Sequence, residues 1–244
     1  CVHDLRGMFS FALWDGRKRR LFCARDRVGK KPFVYAQTDE GLHFASEIKS
    51  LLTCRAIDKT IDYQALHHYL TYQYVPSPST IFAGIKKLPP GHTLIYEGDM
   101  VSVKRYWDLN YRDKLKLPSL DEYGERLREI FEDAVRIRLR SDVPLGAFLS
   151  GGIDSSLVVA MMQRLMNQPV KTFSIGFQEE AYDELDYARM VAKQYKTDHH
   201  EFVVKPDALE ILPKLVWHYN EPFADSSAIP TYVGMAEESA NGSL

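Results

Sequence analysis

Residues Val143–Met162 read VPLGAFLSGGIDSSLVVAMM: an apolar run, a small polar turn carrying Gly151 and Gly152, and a second apolar run. The first run, Val143 to Leu149, has the length and make-up of a buried strand, and the second, beginning near Asp154, that of a helix. Downstream the alternation continues. VKTFSIGF from Val170 and HHEFVV from His199 read as strands, while ELDYARMVAKQY, PDALEILPKLVWHY and SAIPTYVGMAEESA read as helices. Strands alternating with helices of roughly 10 to 15 residues form βαβ units, hence a parallel sheet covered by helices. Upstream, SLDE at Ser119 to Glu122 is a capping box, and Leu120, Leu127, Ile130, Phe131, Ala134 and Leu139 continue a helical stripe behind it. A long helix opens this half.

The first half has another rhythm. GMFSFALWD, LFCARD, FVYAQ and LHFASE are short aromatic-rich runs bounded by Gly, Asp or Pro, the pattern of antiparallel strands joined by tight turns. Ile61 to Val75 has helical spacing through Leu66, Tyr69 and Leu70, and PSPS stops it. LPPGHTLIYEGDMVSVKRYWDL returns to a hairpin that turns at Gly98 and Asp99. The polar, proline-ended stretch Asn110 to Ser119 is the expected linker. The fold class is therefore α/β overall, with a mostly antiparallel β part over 1–112 and a parallel-sheet α/β part over 113–244.

At 244 residues and 45% apolar content the chain has enough to bury a core. Its formal net charge of −2 gives no basic field for nucleic acid, and GRKRR at Gly16 to Arg20 reads as a solvated hairpin. No apolar run approaches the ~20 residues of a membrane span, so a soluble, cytoplasmic protein with neither nucleic-acid nor membrane partners is expected. A homodimer is left open. Cys1, Cys23 and Cys54 show no CxxC spacing, which supports neither a disulfide framework nor a zinc site.

SGGIDSS, Ser150 to Ser156, sits where a strand hands over to a helix, the place of the ligand crevice in open α/β sheets. Gly151 and Gly152 let backbone N–H groups approach a ligand, Ser150, Ser155 and Ser156 offer hydroxyls, and the following helix presents its positive end. The spacing is not GxxxxGK[ST] and no lysine follows the glycines. Asp154 stands there instead, which suits Mg²⁺ shared with phosphates. The simpler reading is a tight turn with Ser and Asp as helix caps. Strand, helix, serines and acid together favour a phosphate cradle.

SGGIDSS resembles the signature of the N-type ATP pyrophosphatases, the PP-loop enzymes. GAFLSGGIDSS, VKTFSIGF, YDELDYARMVA, TDHHEF and WHYNEPFADSSAIPTY together resemble the synthetase domain of the glutamine-hydrolysing asparagine synthetases. LRGMFSFALWD, ARDRVGKKPFVY, FASEIKSLL, FAGIKKLPPGH and RYWDL resemble the later part of that family's Ntn-type αββα glutaminase domain. The resemblance implies a ligase that uses ATP and Mg²⁺ to turn aspartate into asparagine through β-aspartyl-AMP, with glutamine or ammonia as nitrogen source. It implies ATP contacts from Ser150, Gly151, Gly152, Asp154, Ser155 and Ser156, adenine contacts from the backbone of Leu149 and Ile175, and Mg²⁺ at Asp154. Two alternatives stay open: an adenylating relative acting on another carboxylate, such as a β-lactam-forming synthetase, and an ATP-binding module without activity. Asp225 and Ser226 are explained as well by helix capping as by substrate contact, and His199 and His200 read as structural rather than zinc ligands.

Cys1 has the position of an N-terminal nucleophile, but the family opens on Cys-Gly-Ile and continues into RHRGPD-, NGE- and GSD-like segments. Here Val2, His3, Asp4 and Leu5 follow, and none of those segments comes after. Cys1 is therefore expected to be an interior residue of a longer protein. The family's SGxGxDE loop, which brings a catalytic acid and a second Mg²⁺ carboxylate, is expected beyond Leu244. The catalytic residues of both reactions are then outside this chain.

Overall fold

The computed structural model describes residues 1–177, 185–204 and 208–240. The quoted segments that begin at Tyr182 and Pro206 thus start outside the described residues. The chain forms two compact units, Cys1–Lys114 with Val216–Asp225, and Leu115–Leu215 with Ser226–Leu244.

In the first unit β1 (Ser10–Asp15), β2 (Arg20–Arg25), β6 (His92–Glu97) and β7 (Met100–Arg105) form an antiparallel sheet in the order β1-β2-β6-β7. A second antiparallel sheet has the order β4-β3-β5, from β3 (Val34–Thr38), β4 (Gly41–Ala45) and β5 (Lys86–Lys87). The helices are α1 (Ile48–Leu52) and α2 (Tyr63–Tyr72). Turn chemistry sets the hairpins. Asp15 Oδ1 accepts from the N–H of Arg17 and Lys18, and Gly98 and Asp99 take φ of 56° and 60°, as a two-residue turn between twisted strands requires. Strand alternation then feeds two cores from β3: Tyr35 joins Leu21, Cys23, Phe33, Leu88 and Leu94, while Val34 and Ala36 join Ile48, Leu51, Ile57 and Ile85. Asp62 caps α2 through the N–H of Gln64 and Ala65, and Gln73 ends it at φ 67°.

Between β2 and β3 the chain folds around Asp26, whose exposure is 0%. Its carboxylate accepts from the N–H of Val28 at 3.3 Å, Lys30 at 2.9 Å and Lys31 at 2.9 Å. The adjoining Arg25 guanidinium donates to the carbonyls of Gly29, Lys31 and Leu88. At Gly29, with φ 70°, a Cβ would lie 2.7 Å from Pro90 Cγ, so only glycine fits the turn. Val216–Asp225 is fastened into the same unit: Glu221 pairs with Lys87 and accepts from the N–H of Ile81, and Asn220 Oδ1 accepts from the N–H of Lys49. Burial pushes the Glu221 carboxyl up, against the pull of Lys87.

Cys23 lies at 0% exposure in the first core, and desolvation pushes its thiol up to about 12. A thiol that stays protonated at neutral pH is a poor nucleophile. Native protein treated with iodoacetamide should therefore be alkylated at Cys1 and Cys54, with Cys23 modified only after denaturation; peptide mass mapping reads the outcome.

In the second unit β8 (Gly146–Phe148), β9 (Lys171–Phe177) and β10 (Asp198–Val204) form a parallel sheet in sequence order. Around it run α3 (Leu120–Arg136), α4 (Ile153–Leu165), α5 (Leu185–Tyr195) and α7 (Ala228–Ala240), while α6 (Ala208–Tyr219) has its residues to Leu215 in this unit and the rest in the first. Ser119 Oγ caps α3 by accepting from the N–H of Glu122. The strand expected over Val143 to Leu149 is shorter, because Pro144 has no N–H to give a ladder and Val143 is exposed. One ladder bond continues past the strand, from the Leu149 N–H to the Phe173 carbonyl at 2.8 Å. The α3 stripe divides: Phe131 and Leu139 pack on Val135, Met162 and Val170, whereas Leu120, Leu127 and Ile130 are exposed. No helix among the described residues is long and apolar enough to cross a membrane.

Candidate functional site

The SGGIDSS turn leaves the C-terminal end of β8 and enters α4. Gly151 sits at φ 81°, and a Cβ there would meet Tyr187 Cβ at 2.4 Å and the Ala188 nitrogen at 2.6 Å. The loop is therefore drawn against the start of α5 as only glycine allows. Gly152 is the N-cap of α4 and brings no side-chain cap. The first N–H groups of α4 are left to other partners, at the positive end of the helix.

The serines divide their roles. Ser150 Oγ lies 3.0 Å from Ser155 Oγ, Gly152 N–H donates to Ser150 Oγ, and Ser155 Oγ donates to the Gly152 carbonyl. These two hydroxyls shape the loop. Ser156 Oγ is buried and without a hydrogen-bond partner among the described residues, an arrangement that costs free energy unless something completes it.

Beside the loop lies a cavity of about 320 Å³. Leu149, Ser150 and Ile175 line it, with Leu149 at 1% exposure and its carbonyl accepting from Ser174 Oγ. Ser227, Pro230 and Thr231 line it from the start of α7. Asp225 and Ser226 are not among its lining residues; the DSS segment contributes Ser227 instead. Sequence reasoning missed Ser227 and Thr231, because nothing in the spacing tells which face of α7 turns to the strand ends.

Asp154 stands in the first turn of α4, exposed, and lines a different cavity, about 730 Å³, with Leu127 and Phe131 of α3. No hydrogen bond or ion pair engages its carboxylate among the described residues. One free carboxylate beside a phosphate-type loop fits Mg²⁺, which takes one or two carboxylates and completes its shell with phosphate oxygens and water.

His199 and His200 lie within β10. Thr172 Oγ1 holds His199 Nδ1 at 2.9 Å, and Arg189 of α5 grips Glu201 through two nitrogens. Burial lowers the His199 pKa, Glu201 opposing, so the neutral ring is favoured. This is a structural network between α5 and β10.

A parallel sheet whose first strand feeds a glycine–serine turn into a helix without a side-chain cap makes this unit an α/β fold. A glutamine amidotransferase domain model matches residues 1–107, and an asparagine synthase model matches residues 126–242. A protein of Methanocaldococcus jannaschii named asparagine synthetase (glutamine-hydrolyzing) 2 is 41% identical over 95% of this chain and 46% of its own length. Asparagine synthetase (glutamine-hydrolyzing) 1 of Bacillus subtilis is 39% identical over 93% of this chain and 36% of its own. Amidase chry2 of Gibberella zeae is 34% identical over 92% of this chain. The chain belongs to the glutamine-hydrolysing asparagine synthetase family, and it spans less than half the length of these curated relatives. Among solved structures, a glutamine-dependent NAD+ synthetase of Acinetobacter baumannii overlaps 97% of this chain and 59% of that chain at 12% identity, with a TM-score of 0.37, too loose a likeness to argue from.

Proposed function

We propose that the protein carrying this chain makes asparagine from aspartate, ATP and glutamine, with residues 1–112 in its glutaminase part and 113–244 in its ATP-using part. The observation that carries the reading is the loop: a glycine at φ 81° fitted against α5, leading into a helix with no side-chain cap. Phosphates placed there accept from the backbone N–H groups at the start of α4 and from the Ser156 hydroxyl, which lacks a partner among the described residues. The adenine fills the 320 Å³ cavity against Leu149 and Ile175.

In the reaction an aspartate carboxylate oxygen attacks the α-phosphorus of ATP. The bond from that phosphorus to the bridging oxygen breaks, and pyrophosphate leaves. Charge building on the leaving group is met by the helix N-terminus and the loop amides. Ammonia, released from glutamine by the other part, adds to the acyl carbon of β-aspartyl-AMP; AMP leaves and a proton is lost. Asp154 would hold Mg²⁺, which supplies neutralisation of the pyrophosphate charge.

The test is pyrophosphate release by the full-length protein given ATP, Mg²⁺, aspartate and glutamine. Release that requires aspartate supports the reading; release only with another carboxylate selects the relative that adenylates a different acid. In the same assay Asp154→Asn should lower the rate by about a hundredfold or more, with the far-ultraviolet circular dichroism unchanged. Wild-type turnover in that variant would remove Asp154 from the metal.

A further inference from the structure

The first unit holds a group of side chains that neither reaction uses. Glu40 stands in the two-residue turn between β3 and β4, His43 follows inside β4, and Cys54 comes just after α1, its N–H donating to the Leu51 carbonyl. One ligand atom from each, a carboxylate oxygen, an imidazole nitrogen and the thiol sulfur, lies within 4.8 Å of the other two. We propose that Glu40, His43 and Cys54 form a binding site for a divalent transition metal of the zinc class.

The donor set argues for the ion. Sulfur with nitrogen and a single oxygen is a borderline-soft set that suits Zn²⁺ and Co²⁺ and suits the all-oxygen preference of Mg²⁺ poorly. Three protein ligands leave one tetrahedral position for water, and Glu40 is exposed, so the ion can enter from solvent. The imidazole is already oriented: Thr38 Oγ1 lies 3.0 Å from His43 Nε2, accepts from the Glu40 N–H at 3.2 Å and sits beside the Gly41 carbonyl at 3.4 Å. Outer hydrogen bonds of this kind fix ring orientation around a bound metal. Gly41, at φ 127°, closes the turn that carries Glu40 beside His43. Metal binding would tie the β3–β4 hairpin to the end of α1, two segments that already share the core formed by Val34, Ile48 and Leu51.

Cys1 and His3, two positions apart, offer a competing chelate, so the test uses a Cys1→Ser background throughout. Co²⁺ added to the metal-free protein should give a thiolate-to-cobalt charge-transfer band that saturates at one equivalent and is bleached by Zn²⁺. Cys54→Ser should abolish the band, and His43→Gln and Glu40→Gln should each weaken Zn²⁺ binding by about tenfold or more, since a lost ligand costs at least as much as a lost outer partner. Zn²⁺ should also raise the melting temperature of the background protein and leave that of Cys54→Ser unmoved. No charge-transfer band, or a band that survives Cys54→Ser in a folded protein, overturns the proposal.

Discussion

Gly151→Val lowers the affinity for ATP by about thirtyfold or more. A non-glycine residue held at φ 81° costs about 1–3 kcal/mol, and overpacking against Tyr187 and Ala188 costs about as much again. The smallest sum, about 2 kcal/mol, corresponds to about thirtyfold in a dissociation constant. The loop escapes the clash only by leaving α5, and the same movement spoils the aim of its N–H groups. Isothermal titration of the full-length protein with ATP measures the effect, and circular dichroism confirms that the variant folds. Gly124→Ala serves as the control, because Gly124 lies inside α3 with nothing within 4 Å of its added Cβ. It should leave ATP affinity unchanged. Equal affinities in wild type and folded Gly151→Val would contradict the loop's assigned role.

Asp26→Ala destabilises the first unit by about 3 kcal/mol, the cost of removing three hydrogen bonds from part-buried N–H donors to a charged acceptor. Asp26→Asn keeps one acceptor oxygen and should cost less. Burial pushes the Asp26 carboxyl up, but the N–H groups of Lys31, Lys30, Val28 and Phe9 together pull it below its ordinary value. The folded pKa is thus lower than the unfolded one, about 3.9. Asp26 therefore contributes stability that is fully present above about pH 4 and is lost as pH falls toward the folded value. Urea unfolding between about pH 3 and pH 7 should show wild type losing stability on the acid side. Asp26→Asn should follow a flatter curve, and parallel curves would remove Asp26 from the acid response.

The parallel half of the fold is legible because its strands and helices differ in period and each is bounded by its own punctuation. The SGGIDSS turn from strand to helix is legible for the same reason: the glycines that permit a close backbone approach, the hydroxyls and the helix start are contiguous. The division of labour among the serines is not, since Ser150 bonding Ser155 and Ser156 Oγ lacking a partner among the described residues depend on rotamers that spacing does not express. Ser227 and Thr231 join Leu149 and Ile175 only through the docking of α7, a long-range event without a local signal. The stretch between LFCARD and FVYAQ reads in the sequence only as a connection between strands, and in the structure it folds around the buried carboxylate of Asp26. Its signal, an acid followed by a glycine that must take positive φ, is present but common to many exposed turns. Glu40, His43 and Cys54 were hidden by their spacing, because a hairpin and a helix end, rather than a motif, bring them together.

The most direct test of the central claim uses aspartate carrying ¹⁸O in its side-chain carboxylate. If that carboxylate attacks the α-phosphorus of ATP held by SGGIDSS, and ammonia then displaces AMP at the acyl carbon, one labelled oxygen must leave with AMP. Mass spectrometry of the nucleotide product from the full-length protein should find ¹⁸O in AMP at one atom per asparagine formed. Label recovered in inorganic phosphate, with ADP as the nucleotide product, would contradict the account.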